Sequence, residues 1–274
     1  MTSPIDRALA RAAFDAYVAP YDAANPRIAL KVDHTLRVAE LCDRIAASLG
    51  MGDLDRDLAW LCGLLHDIGR FEQVRRWDTF SDARSCSHAA LGIQVLFGEK
   101  DGNTAAQTLT GDDRGRLEVF AELDGADREL LRMAVATHSD FRLPEGLDAR
   151  TRRFCDLLRD ADKIDILKAV CTEPVEAIFG VPKEELLASP LTPAVEETFY
   201  AHRTVLRADR KVPADFLLGF ACFAFELVYP ESRRIAGEQG HLYELFDRPF
   251  ANEDTAWRMA AARKHLQGWM GQRS

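Results

Sequence analysis

No stretch of this chain keeps apolar residues together for the ~18 to 20 positions that a membrane-spanning helix needs, and none alternates apolar and polar residues as a half-buried strand would. The first absence leaves no candidate spanning helix, and the second turns the reading away from sheets. Among the six cysteines, Cys42, Cys62, Cys86, Cys155, Cys171 and Cys222, there is no CxxC pair, and most sit at helical positions among apolar neighbours. Reduced core thiols fit that distribution better than a structural zinc site or a disulfide framework. Positive charge is also scarce: 35 Lys and Arg face 44 Asp and Glu, for a net charge of -9 and a pI near 5.3. Such a balance argues against affinity for nucleic-acid polymers or an anionic membrane, while leaving room for a locally basic phosphate pocket. The opening residues MTSPIDRALARAAFDAYVAPYD have neither the basic start nor the unbroken apolar core of a signal peptide, so a cytoplasmic protein is expected.

What the chain does have is helical periodicity. Apolar residues recur at spacings of three and four through about 26–49, 54–68, 84–98, 126–138, 150–170, 193–207, 213–229 and 254–270. Gly50 and Gly52, Gly69, Pro144 and Gly146, and Pro213 punctuate these segments. With 274 residues, 47% of them hydrophobic, the chain can bury a substantial core, and an all-α protein built as one domain, residues 1–274, is expected. The polar stretch 98–116 is the one long loop candidate. The aromatic run DFLLGFACFAFELVYP at 215–230 has helical spacing and is read as core.

Polar residues interrupt the inner stripes of these helices. Leu30, His34, Val38, Leu41 and Ile45 share one stripe, so His34 faces inward with aliphatic neighbours. His66 follows Leu58, Leu61, Cys62 and Leu65; His88 precedes Leu91, Gly92, Val95 and Leu96; His138 follows Leu131, Ala134 and Val135. The stripe Phe154, Leu158, Ala161 brings Asp162 to its edge, with Asp165 less than one turn on. A single histidine on an apolar face is usually a hydrogen-bonded core residue. A carboxylate is harder to dismiss, because burying it is costly unless it is paired or bound to a metal. Four histidines and two aspartates, Asp67 and Asp162, on the inner faces of five helices need a common reason, and a shared cation site satisfies all six. Neutral imidazole and ionised carboxylate suit iron, manganese or zinc, and one Asp can bridge two ions. His202, His241 and His265 are read as structural or surface residues.

The order His34, then His66-Asp67, then Asp162 in RDADKIDIL resembles the H…HD…D signature of the HD-domain superfamily of metal-dependent phosphohydrolases, over about residues 28–170. The segment RFEQVRRWDTFSDARSCSHAALG is similar to a bacterial subgroup of HD hydrolases. The resemblance implies an all-α HD-domain helical bundle, with a helical C-terminal extension at about 190–274. It also implies that His34, His66, Asp67 and Asp162 hold one divalent transition metal, and that Asp67 bridges to a second held by His88 and His138. Fe, Mn, Ni, Co or Zn would suit these ligands, and Mg is admissible. The GYP element of cyclic-di-GMP phosphodiesterases is missing after both His88 and His138, and the paired basic and acidic residues of (p)ppGpp hydrolases are not recognisable. Neither substrate is expected.

The implied reaction is hydrolysis of a phosphate ester, from a nucleotide or another small phosphorylated metabolite, by hydroxide that the metals activate at neutral pH. Alongside Asp67, the cations Arg70 and Lys163 are candidate catalytic groups, and both, with Lys31, are candidates to hold phosphate oxygens. Asp165 and Asp82 are candidates to orient ligand histidines from behind, although a helix-cap or turn role competes for Asp82. Gly69 is expected to end its helix so that Arg70 can turn toward a ligand. Specificity would come from residues 70–85, 98–124 and 139–150. Two other functions use the same ligands: an HD-type di-iron oxygenase acting on a small polar substrate, and a non-catalytic, metal-stabilised regulatory domain. A homo-oligomer is compatible with all three.

Overall fold

The computed structural model of the protein describes residues 5–98 and 123–272, and every regular element among them is a helix. The long polar loop expected at 98–116 lies outside the described residues from position 99 onward, as does most of the specificity region expected at 98–124. The contacts divide the chain into two compact units, Met1–Asp162 and Lys163–Ser274.

The first unit contains α1 (Arg7–Val18), α2 (Pro26–Ser48), α3 (Asp53–Leu65), α4 (Gly69–Trp77), α5 (His88–Phe97), α6 (Gly125–Thr137) and the start of α7 (Ala149–Thr172). Local sequence explains where several of these begin. Asn25 accepts from the Arg27 N–H and Pro26 takes the first helical position of α2, where a missing N–H does no harm. Ser87 caps α5 by accepting from the Ala90 N–H, and Asp124 caps α6 by accepting from the Asp127 N–H. The expected spans 26–49, 126–138 and 150–170 differ from α2, α6 and α7 by at most two residues at either end.

Other boundaries need correcting. The helix expected over 84–98 begins only at His88, because Asp82–Arg84 forms a separate 3-10 turn and Ser87 caps α5 immediately before His88. The one expected over 193–207 stops at Tyr200. The expectation that Gly69 ends a helix is overturned: α3 stops at Leu65, a three-residue turn carries His66, Asp67 and Ile68, and Gly69 opens α4. Residues 70–77, outside the expected helical segments, are therefore helical. The reason that α4 leaves no apolar signature is that it buries Glu72 and Gln73, 1% and 0% exposed, together with Phe71 and Val74.

Two glycines set how closely the first-unit helices approach. A methyl group at Gly63 would lie 2.6 Å from Ala39 Cα, so the tight packing of α3 on α2 requires its absence. At Gly69 an added methyl would run into the His88 carbonyl oxygen and lie 2.5 Å from Gly92 N, which brings the start of α4 against α5.

In the second unit, α8 (Val175–Phe179), α9 (Lys183–Ala188), α10 (Pro193–Tyr200), α11 (Pro213–Ala221), α12 (Phe223–Glu226), α13 (Pro230–Gln239), α14 (His241–Glu244) and α15 (Glu253–Gly271) surround a core that includes Val195, Phe199, Leu217, Leu218, Leu245, Met259 and Leu266. The aromatic run at 215–230 serves that core: Leu217, Leu218, Ala221, Cys222 and Ala224 are buried, and Phe220, Phe223 and Phe225 pack on it. All six cysteines are free thiols. No helix among the described residues is long and apolar enough to cross a membrane.

The glycine contacts give a stability test. Gly63→Ala is expected to lower unfolding stability by about 1–3 kcal/mol, the cost of forcing apart two packed backbones, whereas Gly125→Ala, with open space around it, should change it by no more than about 0.5 kcal/mol. Denaturant midpoints for the two variants measure this, and equal midpoints would contradict the close α2–α3 contact.

Candidate metal centre

Six chemically distinctive side chains converge within the first unit, and their backbone positions differ. His34 lies inside α2 and Asp162 inside α7, so helical phase aims both inward. His66 is the residue after the end of α3, His138 the residue after the end of α6, and His88 the first residue of α5. Asp67 occupies the turn between α3 and α4. All four histidines and Asp67 are at most 5% exposed, and the Asp162 side chain is 13% exposed.

The donor atoms form two groups that share Asp67. In the first, His34 Nε2 is 3.3 Å from His66 Nε2, 3.5 Å from Asp67 Oδ2 and 3.2 Å from Asp162 Oδ1. His66 Nε2 is 3.5 Å from Asp67 Oδ2 and 3.6 Å from Asp162 Oδ1. In the second, His88 Nε2 and His138 Nε2 are 3.0 Å apart and lie 3.5 and 3.6 Å from Asp67 Oδ1. Each oxygen of Asp67 thus faces a different group of imidazoles. Around an ion with ligands at about 2.0–2.2 Å, neighbouring donors sit roughly 2.8–3.6 Å apart, and every one of these separations falls in that range.

The outer ring nitrogens of His66, His88 and His138 fix which proton each of these imidazoles carries. His66 Nδ1 lies 2.7 Å from Gly63 O and His138 Nδ1 lies 2.7 Å from Val135 O; a carbonyl can only accept, so both Nδ1 atoms are assigned the hydrogen. His88 Nδ1 donates in the same way to Asp82 Oδ2 at 2.7 Å. Asp82 remains an ionised acceptor, because against its partial burial the hydrogen bond and charge of His88 lower it to about 2. Neutral His88 and His138 rings would then point two lone pairs at each other across 3.0 Å. Asp67 Oδ1, between them and buried, makes no hydrogen bond. A cation among these three atoms removes both difficulties, and the donor set fits a divalent metal.

Charge at the first group tells the same story. Desolvation opposes a charged His66, yet the Asp67 and Asp162 carboxylates outweigh it and raise the imidazole to about 10. Asp67 is held well below the usual carboxylate range in spite of burial, by the charges of Lys31 and His66; Asp162 is held there by His34 and His66. His88 moves the other way, to about 4, through burial and the nearby Arg70. A proton on His66 and a metal among the four donors are therefore alternative answers to the same two carboxylates.

The remaining candidates separate by position. Lys31 Nζ lies 2.5 Å from Asp67 Oδ2 and over the Phe80 ring at 5.4 Å. Arg70 turns its Nε toward Asp67 Oδ1 at 3.4 Å, while its Nη1 donates to Gln73 Oε1, Phe80 O and Asp82 Oδ1 at 2.7, 2.7 and 3.1 Å. Asp82 stands behind His88, and Ser87 takes the cap role that competed for it. Lys163 belongs to the second unit, where its ammonium pairs with Glu226 at 3.1 Å. Asp165 belongs to the same unit and is buried. His202 and His265 face each other on the surface at 2.8 Å, in an aromatic cluster with Phe225 and Trp269.

Two residues escaped the sequence. Gln73 is fully buried in the network around Arg70 and Asp82, and no pattern in FEQVRRW marks it. Arg159 donates from Nη1 to Thr137 O, His138 O and Asp140 O at 3.0, 3.1 and 2.6 Å, tying off the end of α6 beside His138.

Residues 32–169, half of the chain, match the HD domain family. The chain belongs to the HD domain family. All six clustered residues fall within the matched HD segment, and the family is one of metal-dependent hydrolases. Comparison with curated proteins and with solved structures gives no significant match.

The protonation of His66 makes metal binding by this HD domain depend on pH. The metal-free His66 is protonated below about 10, so a divalent cation must displace that proton, and apparent affinity should rise with pH by up to about tenfold per unit between neutrality and pH 10. Calorimetric titrations in buffers of different ionisation enthalpy read the released proton, and an affinity that falls with pH would contradict the assignment.

Proposed function

We propose that this protein is a metal-dependent phosphohydrolase that cleaves a phosphate ester of a small metabolite, a nucleotide or a similar compound. The observation that carries the reading is the division of Asp67 between two imidazole groups, with Lys31 and Arg70 set against the same carboxylate. When bound, two divalent cations in such a site acidify a water molecule and neutralise charge at a phosphoryl group.

The residues of the chain account for the rest. His34, His66 and Asp162 would hold one ion, His88 and His138 the other, and Asp67 both. Burial of the four imidazoles keeps bulk water out and strengthens each electrostatic contact. Lys31, its side chain 15% exposed, has a flexible stem and a charge already at the cluster, which suits it to a phosphate oxygen. Arg70 brings a second positive charge to Asp67, on the side of the second group. Lys163 is left out of the proposal because Glu226 takes up its charge. Asp82, accepting from His88 Nδ1, makes Nε2 of that ring the better donor to a metal.

The experiment is metal analysis of protein purified without oxygen, followed by a panel of phosphate esters with Mn, Co, Ni or Mg. Phosphate release without oxygen is expected, and Asp67→Asn should lower kcat/KM by at least about 10³-fold, given the size of enzymatic rate enhancements, with loss of bound metal. Oxygen consumption by the iron-loaded protein with no phosphate released would replace this reading with the di-iron oxygenase. Tight metal binding without turnover of any ester would leave the regulatory role.

A further inference from the structure

The two imidazole groups are anchored in different ways. In the first, His34 and Asp162 project from the interiors of long helices, and His66 Nδ1 donates to Gly63 O of α3 itself. These three side chains are carried by α2, α7 and the end of α3, and the segment between α4 and α5 comes near their group through Phe80, whose ring faces the Lys31 ammonium. The second group depends on that segment, since His88 opens α5 and its Nδ1 partner is Asp82 in the intervening 3-10 turn.

Within that turn the Arg84 N–H and Ser85 Oγ donate to Ser81 O. None of its three residues is buried, and its first residue is preceded by Ser81, which makes no side-chain cap. Two side chains of α4, the buried amide of Gln73 and the guanidinium of Arg70, hold it. Gln73 Nε2 donates to Asp82 Oδ1 at 2.8 Å and to Ser85 Oγ at 2.9 Å, and it lies 3.1 Å from Cys86 O. Gln73 Oε1 accepts from Arg70 Nη1, which reaches on to Phe80 O and Asp82 Oδ1. Asp82 is thereby divided: Oδ1 receives Gln73 and Arg70, leaving Oδ2 for His88 at 2.7 Å. Gln73 is 0% exposed, and a buried amide is tolerated only when its donors and acceptor are matched, so its position and that of the turn specify each other.

We propose that Gln73 is a positioning residue for the second imidazole group: by tying residues 78–87 to α4 it sets Asp82 against His88 and so governs how tightly that group holds a divalent cation, independently of the first group. The inference rests on the reading of the two groups as metal sites. It assigns the turn a role in metal occupancy, and it makes the second site the one that can be lost alone.

Cobalt(II) titration of the full chain, followed by absorption and by bound metal per chain after dialysis, tests it on the wild type, Gln73→Met and Asp82→Asn. Gln73→Met keeps the volume and removes the hydrogen bonds, while Asp82→Asn changes a residue at the edge of the fold and leaves the buried amide in place. The wild type should take two ions. Each variant should weaken the second by about 10- to 100-fold, the usual effect of losing a partner behind a ligand, with the first within twofold of wild type and the helical circular dichroism of both metal-free variants retained. A second site at wild-type affinity in Gln73→Met, or parallel loss at both sites, would overturn the role of Gln73. A wild type that binds no cobalt would overturn the metal reading, and this inference with it.

Discussion

One buried carboxylate has to satisfy two sets of imidazoles, and much of the first unit is arranged around that requirement. Asp67 is 2% exposed, its Oδ2 turned to His34 and His66 and its Oδ1 to His88 and His138. An isolated carboxylate in such a place would be strongly destabilising. Here it sits in the turn between α3 and α4, where side chains from both neighbouring helices can reach it. The bare backbone at Gly69 lets α5 come close enough for His88 to reach the second oxygen. Helices α2, α5, α6 and α7 act as the supports that deliver one donor each, with α3 and the turn after it delivering two.

The six ligand candidates were legible because each breaks an apolar stripe. A histidine or aspartate at a position where helical phase demands Leu or Val is visible in a single sequence, and His34, His66, Asp67, His88, His138 and Asp162 are brought within 3.6 Å of one another in two groups. The helices that carry them were legible for the same reason. α4 was not, because its inward face holds Glu72 and Gln73, whose burial depends on partners far along the chain rather than on apolar spacing. The direction of a charged side chain was equally invisible. Arg70 and Lys163 read alike as cations beside ligands, yet Arg70 is woven into the turn behind His88 while Lys163 pairs with Glu226. Contacts of this kind are tertiary, and no local pattern encodes them.

Where a ligand sits on its helix also decides what else it needs. An interior position such as His34 inherits its direction from the hydrogen-bonded helix around it. A terminal position leaves unsatisfied backbone groups next to the ligand, and at α6 the need is met by Arg159, which gathers three carbonyls around His138. At α5 the cap is the small Ser87, and the larger task of aiming the ring passes to Asp82. His88 and His138, at helix ends, are thus accompanied by supporting residues of their own, Asp82 and Arg159.

The electrostatics of the metal-free site show how the fold tolerates so many buried polar groups. Asp67 and Asp162 are both ionised, and the opposing charge comes from Lys31 and from a proton on His66. Neither counter-charge is permanent at the site; one rides on a flexible stem and the other is a titratable proton. A divalent cation among the same donors would supply fixed charge in their place, displacing the proton and loosening the hold of Asp67 on the ammonium. The residue that now neutralises the bridge would then have its charge free for an anionic ligand. A site balanced by mobile charges can thus be stable empty and still receptive to metal, which a site balanced by a second fixed ion pair could not be.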